Sequence, residues 1–192
     1  MVNIFPQTLL ICLCLQQVDP IKTPSITKQD NCACIIPADL KTVIEDKFSQ
    51  YRCPIESDNL QEDIQQNIVD GKNGCLSVVS GDFDGNGKMD YAIILTNKSD
   101  QGAFFIVARN TKEGWVVEPI KKMTDGRSRL YVEVIGPGIY KNMFSTREKK
   151  YNIAEVPAIR SKRPGVVFGR TEASATAYFW TPKGWVHLYL GD

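Results

Sequence analysis

At 192 residues the chain is long enough for one domain with a sizeable hydrophobic core. Its 23 lysines and arginines against 22 aspartates and glutamates leave no global basic surface to mark a nucleic-acid binder. A hydrophobic content of 43% with 23% charged residues excludes a wholly disordered chain.

The first residues, MVNIFPQTLLICLCLQQVDP, hold an apolar run from Leu9 to Leu15. Such a run suits a signal-peptide core and is too short to span a bilayer. No basic residue precedes it and no small-x-small site follows, so an ordinary N-terminal strand is the alternative. Ile11 and Leu13 also stand where a lipoprotein site at Cys12 or Cys14 would want a small residue. Position, length and cysteine content favour export, to the periplasm of a Gram-negative cell or otherwise by secretion. Residues 1–17 are therefore expected to be a signal peptide, and 18–31, polar with two prolines, a linker.

Four further cysteines, Cys32, Cys34, Cys53 and Cys75, cluster in one half of the chain and read as two disulfides of an exported protein. Cys32 and Cys34 are too close in sequence to bridge each other without strain, so each is expected to reach one of Cys53 and Cys75, with the pairing left open. A zinc site of all four is the weaker reading, because the paired Cys-x-x-Cys spacing is missing.

IIPADLKTVIEDKFSQY places Leu40, Val43, Ile44, Phe48 and Tyr51 on one helical stripe, with Pro37 suited to the first turn. A second helix is expected from Asp58, where Asp58 and Gln61 make a capping-box pattern. Leu60, Ile64 and Ile68 form its apolar face, and Gly71 ends it. From Cys75 onward the pattern turns to strands: LSVVSG, YAIILT, AFFIVAR, GWVVEPI, LYVEVIG, VVFGRTE, ATAYFW and GWVHLYL, separated by Gly, Pro, Asn and Asp turns. The expected fold is α+β: two N-terminal amphipathic helices packed on an antiparallel β-meander, disulfide-stabilised, in a single domain over 32–192. FFIVARNTKEGWVV and TAYFWTPKGWVHLY echo each other, as two similar hairpins of one sheet would.

GDFDGNGKMDYAIIL is the most informative stretch. Counting from Asp82, side-chain oxygens fall at the first, third, fifth and ninth positions, on Asp82, Asp84, Asn86 and Asp90. Lys88 offers a backbone carbonyl at the seventh, and Gly87 supplies the turn. A hard cation such as Ca2+ takes six to eight oxygens, which alternate residues of a curled loop can provide. A plain hairpin explains Asn86-Gly87 but not the gathering of three like charges. The twelfth position is Ile93, so the loop does not close as an EF-hand does.

The pattern resembles the calcium loop of the FG-GAP repeats, the VCBS and integrin-α propeller type, in which such a loop links two antiparallel strands. Asp82, Asp84, Asn86, Gly87 and Asp90 meet its positions; Ser80 and Gly81 before it, and Ala92, Ile93 and Ile94 after it, meet its context. The resemblance covers about residues 75–96 and includes neither the Phe-Gly and Gly-Ala-Pro tags nor a second acidic loop. It implies a calcium-loop hairpin, without the propeller, that stiffens a binding surface.

Catalytic motifs are sparse. His187 is the only histidine, which makes zinc hydrolysis or a Ser-His-Asp arrangement hard to assemble. Glu133, Glu155 and Glu172 are the candidates for a carboxylate-based glycan hydrolase. Trp115, Trp180 and Trp185, with the basic residues Arg160, Lys162 and Arg163, are candidates for holding a partner. The expected function is an exported calcium-braced protein-binding domain, an inhibitor or immunity-type protein of the cell envelope. An adhesin-like or structural envelope module is the second reading and a glycan hydrolase the third.

Overall fold

The computed structural model describes residues 30–99, 102–143, 153–173 and 175–191. The expected signal segment and all but the last two residues of the linker lie outside the described residues. Strand is the dominant element, at 46% against 20% helix, so the chain is mostly β-sheet with few helices.

Three short helices come first: α1 (Asn31–Ile35), α2 (Ala38–Lys47) and α3 (Gln61–Val69). The Asp30 side chain caps α1 by accepting the Ala33 amide at 2.9 Å. The expected stripe on α2 ends at Ile44. Phe48 caps the helix, and Tyr51 opens β1 (Tyr51–Arg52), where pairing with Asn97 wins over another helical turn. Both rings still meet Phe104, each with centroids 5.4 Å from it. The second helix starts at Gln61, not at Asp58, because Arg52 and the Thr96 hydroxyl take the Asp58 carboxylate.

The strands number twelve among the described residues. After β1 come β2 (Val78–Gly81), β3 (Asp90–Asn97), β4 (Ala103–Thr111) and β5 (Gly114–Met123). They form one antiparallel sheet in which β3 pairs with β4 on one side and with both β1 and β2 on the other. The chain continues through β6 (Leu130–Ile135), β7 (Gly138–Lys141), β8 (Ala154–Glu155) and β9 (Ala158–Ser161). It ends with β10 (Gly165–Arg170), β11 (Ala175–Thr181) and β12 (Gly184–Leu190). A second sheet has the order β6-β10-β11-β12-β8, its last pair parallel, and β7 with β9 makes a separate ribbon. The expected single meander is thus two sheets and a ribbon.

The sheets pack face to face. Phe83, Ile94, Phe105, Val107 and Ile120 from the first meet Leu130, Val132, Phe168, Tyr178 and Trp185 from the second. Phe105 and Phe168 stack at 4.8 Å. On the outer face of the first sheet, Ile36, Leu40 and Ile44 cover Ile93, Leu95, Ile106 and Val117. On the outer face of the second, Tyr140 and Ile159 of the ribbon cover Val167, Ala177, Phe179 and Leu188. This explains why β3 and β10 read as unbroken apolar runs: successive residues serve different cores. The two echoing hairpins lie in different sheets and share one turn design. Thr111 and Thr181 hydroxyls donate to the carbonyls of Gly114 and Gly184 at 2.8 and 2.7 Å.

One disulfide, Cys32–Cys75, ties α1 to the approach of β2. The second expected bridge is absent, because Cys34 and Cys53 are free. Positions two apart on a helix point to different faces, so burying Cys32 turns Cys34 to solvent.

Where the chain crosses between sheets, Arg127 is buried at 3% exposure. It donates to the Thr96 and Ser77 hydroxyls, both at 2.8 Å, and lies 3.5 Å from Asp58. Burial pulls its pKa down to about 10 despite Asp58. The guanidinium ties its own segment to three others. Arg127→Met is expected to cost about 3 kcal/mol in urea unfolding. The loss should be less than additive with that of Asp58→Asn.

Candidate metal centre

The acidic loop joins β2 to β3, and its curl needs two left-handed glycines, Gly85 at φ 77° and Gly87 at φ 82°. Asp82 starts the turn by accepting the amides of Gly85, Asn86 and Gly87 at 2.7, 3.0 and 3.0 Å. Asp84 accepts the Asn86 amide at 3.1 Å. Asp90, the first residue of β3, accepts Phe83 and Asp84 on one oxygen and Asn110 of β4 on the other, the last at 2.8 Å. Every donor to these aspartates inside the loop is a neutral amide. Carboxylate oxygens of Asp82, Asp84 and Asp90 lie within 4.8 Å of one another.

Asp90 is wholly enclosed, at 0% exposure. Burial, with the neighbouring Asp84 charge adding to it, pushes its pKa up to about 6 against the pull of the amides. No lysine or arginine pairs with it among the described residues. The donor set therefore fits a hard cation: three convergent carboxylates, one of them deeply buried without a counter-charge. Asp82, Asp84 and Asp90 would hold the ion. The Asn86 side-chain oxygen accepts the Lys88 amide at 2.7 Å and keeps a second lone pair. The Lys88 ammonium reaches the Thr111 carbonyl at 2.7 Å, so Lys88 would contribute through its own carbonyl.

Arg109, which no sequence motif singled out, organises the surroundings. It lies 3.3 Å from Asp84 and 2.7 Å from Glu118, with its guanidinium 3.9 Å from the Trp180 ring. Trp185 packs on Trp180 and donates to Glu118 at 3.2 Å. Arg109 thus links the acidic loop to the far sheet. The signal was in the period-two alternation, since Arg109 shares a face with the inward-pointing Phe105 and Val107. Arg163 also reaches the loop, donating to the Asp84 carbonyl beside Gly85.

The other singled-out residues are dispersed. Trp115 donates to Asp39 of α2 at 2.8 Å and packs on Tyr91. All three tryptophans thus make internal contacts, while Arg160 and Lys162 remain exposed. Glu133 on β6 and Glu155 on β8 occupy opposite edges of one sheet, about 19 Å apart at ordinary strand spacing. That is beyond the reach of a glycosidase pair. Glu172 sits in the β10–β11 turn against Arg129 at 3.1 Å. His187 is buried on β12 between Tyr178 and Tyr189, and its Nδ1 has no hydrogen-bond partner.

No protein-family model, curated protein or solved structure matches the chain. The site is therefore argued from its geometry.

Arg109→Ala should lose about 2 kcal/mol of stability, from a desolvated cation–π contact and two ion pairs. It should also shift the tryptophan emission, since Trp180 loses its cover. His187 has its pKa lowered, mainly by burial and against the pull of Glu155, with Lys121 adding to the lowering. A lowered folded-state pKa means that its stabilising contribution is full above the unfolded value near 6.5. That contribution is lost as pH falls through the folded value. In thermal melts between pH 7.5 and 5 the wild type should therefore lose stability relative to His187→Phe; Asp90, with its raised pKa, acts in the opposite direction in both proteins and cancels from that difference.

Proposed function

We propose that this chain is an exported, calcium-braced domain that works by holding a protein partner, as an inhibitor or immunity-type protein of the cell envelope does. The observation that carries the metal reading is Asp90, an enclosed carboxylate with no cationic partner among the described residues, set among two further carboxylates. The likeness of the loop to the FG-GAP calcium hairpin supports the same ion. Calcium between Asp82, Asp84 and Asp90 would supply the missing charge and rigidify the end of the molecule where Arg109 and Arg163 already join the sheets. The exposed Arg160 and Lys162 on that side suit an acidic partner surface and would act mainly on association rate.

Calorimetric titration of the oxidised chain with calcium tests the reading, beside a variant carrying Asp84→Ala and Asp90→Ala. One saturable site is expected, lost in the variant. At an affinity near the ~10⁻⁴ M of extracellular modules, about 1 mM calcium adds about 1.4 kcal/mol. The melting temperature would then rise by about 3–5 °C. Absence of binding at several millimolar, with an unchanged melt in chelator, overturns the calcium brace.

A further inference from the structure

We propose that Cys34 and Cys53 are a thiol pair that closes as a second disulfide when the folded chain meets a small disulfide donor, latching α1 to the segment that follows β1. The inference goes beyond the calcium and partner reading and depends on neither.

The structure holds the pair open, as two thiols, with Cys34 exposed and Cys53 half-buried. α1 has only five residues, so its position depends on what it touches. Cys32 turns towards Cys75 and the first sheet. Asp30, Asn31 and Cys34, three and four positions apart, share another side of the helix. That side already meets the segment after β1. The Asp30 carboxylate accepts the Glu56 amide at 2.9 Å, and the Asn31 side chain donates to the Glu56 carboxylate at 3.0 Å. Cys53 stands three residues before Glu56, and Cys34 one helical turn beyond Asp30 and Asn31.

A single cation is shared by the two thiol-bearing segments. The Lys41 ammonium of α2 donates to the Ala33 carbonyl at 2.6 Å, beside Cys34. Its charge also reaches Cys53: burial, with Glu45 adding to it, raises the pKa of that thiol, and Lys41 opposes them.

The order of events follows from exposure. The Cys34 thiolate, its proton given to water, attacks one sulfur of the donor, oxidised glutathione in the test below. The donor S–S bond breaks, and one glutathione leaves as its thiolate and is protonated. The Cys53 thiolate, its proton also given to water, then attacks the Cys34 sulfur and expels the second glutathione. Two protein thiols are oxidised by two electrons, and one glutathione disulfide is reduced to two thiols. The product closes a loop around α2 and β1. With Cys32–Cys75 it holds α1 on two sides, so the helical cover over Ile93, Leu95 and Ile106 cannot lift without breaking a covalent bond.

The test incubates the folded full chain with oxidised glutathione, alkylates free thiols and digests with trypsin without reduction. Cys32 and Cys34 share the tryptic peptide 29–41, Cys53 lies in 53–72 and Cys75 in 73–88. The expected product is one species of all three peptides carrying no alkyl group. Backbone fragmentation at Ala33 in the mass spectrometer should assign Cys34 to the peptide 53–72. Mild reduction should return 29–41 joined to 73–88 alone, because Cys32 and Cys75 are buried, at 0% and 5% exposure. The oxidised wild type should melt about 5–10 °C above Cys53→Ser treated alike, and mild reduction should close that gap. Should the variant not fold, the peptide map of the wild type decides alone. Alkylated Cys34 and Cys53 after oxidation overturn the inference, as does glutathione left on Cys34 beside an alkylated Cys53. So does a Cys34–Cys34 link between two copies, seen as a dimer without reductant, or a map that joins Cys32 to Cys53.

Discussion

The stack of Phe105 on Phe168 marks the contact on which the rest of the architecture depends. Two antiparallel sheets that bury one face against each other still have apolar outer faces, and each must be covered. Helices α1 and α2 cover the first, and the β7–β9 ribbon covers the second. Double coverage is what allows β3 to carry Ala92, Ile93, Ile94 and Leu95 in a row, all at 0% exposure. It also brings hairpin ends of both sheets to one pole, where Arg109 can touch Asp84 in its own sheet and Trp180 in the other. At the β2/β6 side the same packing holds two strand edges close without pairing them.

Two buried ions show how differently a fold can treat charge. Arg127 loses its water but gains Asp58 and the Thr96 and Ser77 hydroxyls, and so remains ionised even with its pKa drawn down. Asp90 loses its water as completely and gains only amides, which bear partial charges, while Asp84 adds repulsion. One site is complete within the protein. The other is short of positive charge at a place where two more carboxylates converge.

The strands were legible because alternation and Gly-Asn-Asp turns are local signals. Their division into two sheets was not, since a continuous apolar run such as AIIL is compatible with any strand buried on both faces. Helix limits failed where tertiary contacts outbid propensity: Tyr51 pairs with Asn97, and Asp58 is taken by Arg52 instead of capping α3. The four cysteines suggested two bridges by parity, yet helical geometry separates Cys32 from Cys34. The acidic loop was the most legible part of the candidate site, because Asp82, Asp84, Asn86 and Asp90 lie within nine consecutive residues. Arg109 and Glu118 belong to the same site but join it through strand register, which composition does not reveal.

The pole that carries the acidic loop is built from opposite charges. The chain enters β3 through Asp82, Asp84 and Asp90; Arg160 lies in β9, Lys162 and Arg163 lead from it into β10, and Arg163 folds onto the Asp84 carbonyl. Internal cations thus reach the outer rim of the loop, at Asp84, and stop there. Asp82 is satisfied by three amides and Asp90 by a further three, with no arginine among the described residues paired to either. The division of labour that results is physical: arginines fasten the loop to the second sheet from outside, and the proposed calcium would neutralise it from within.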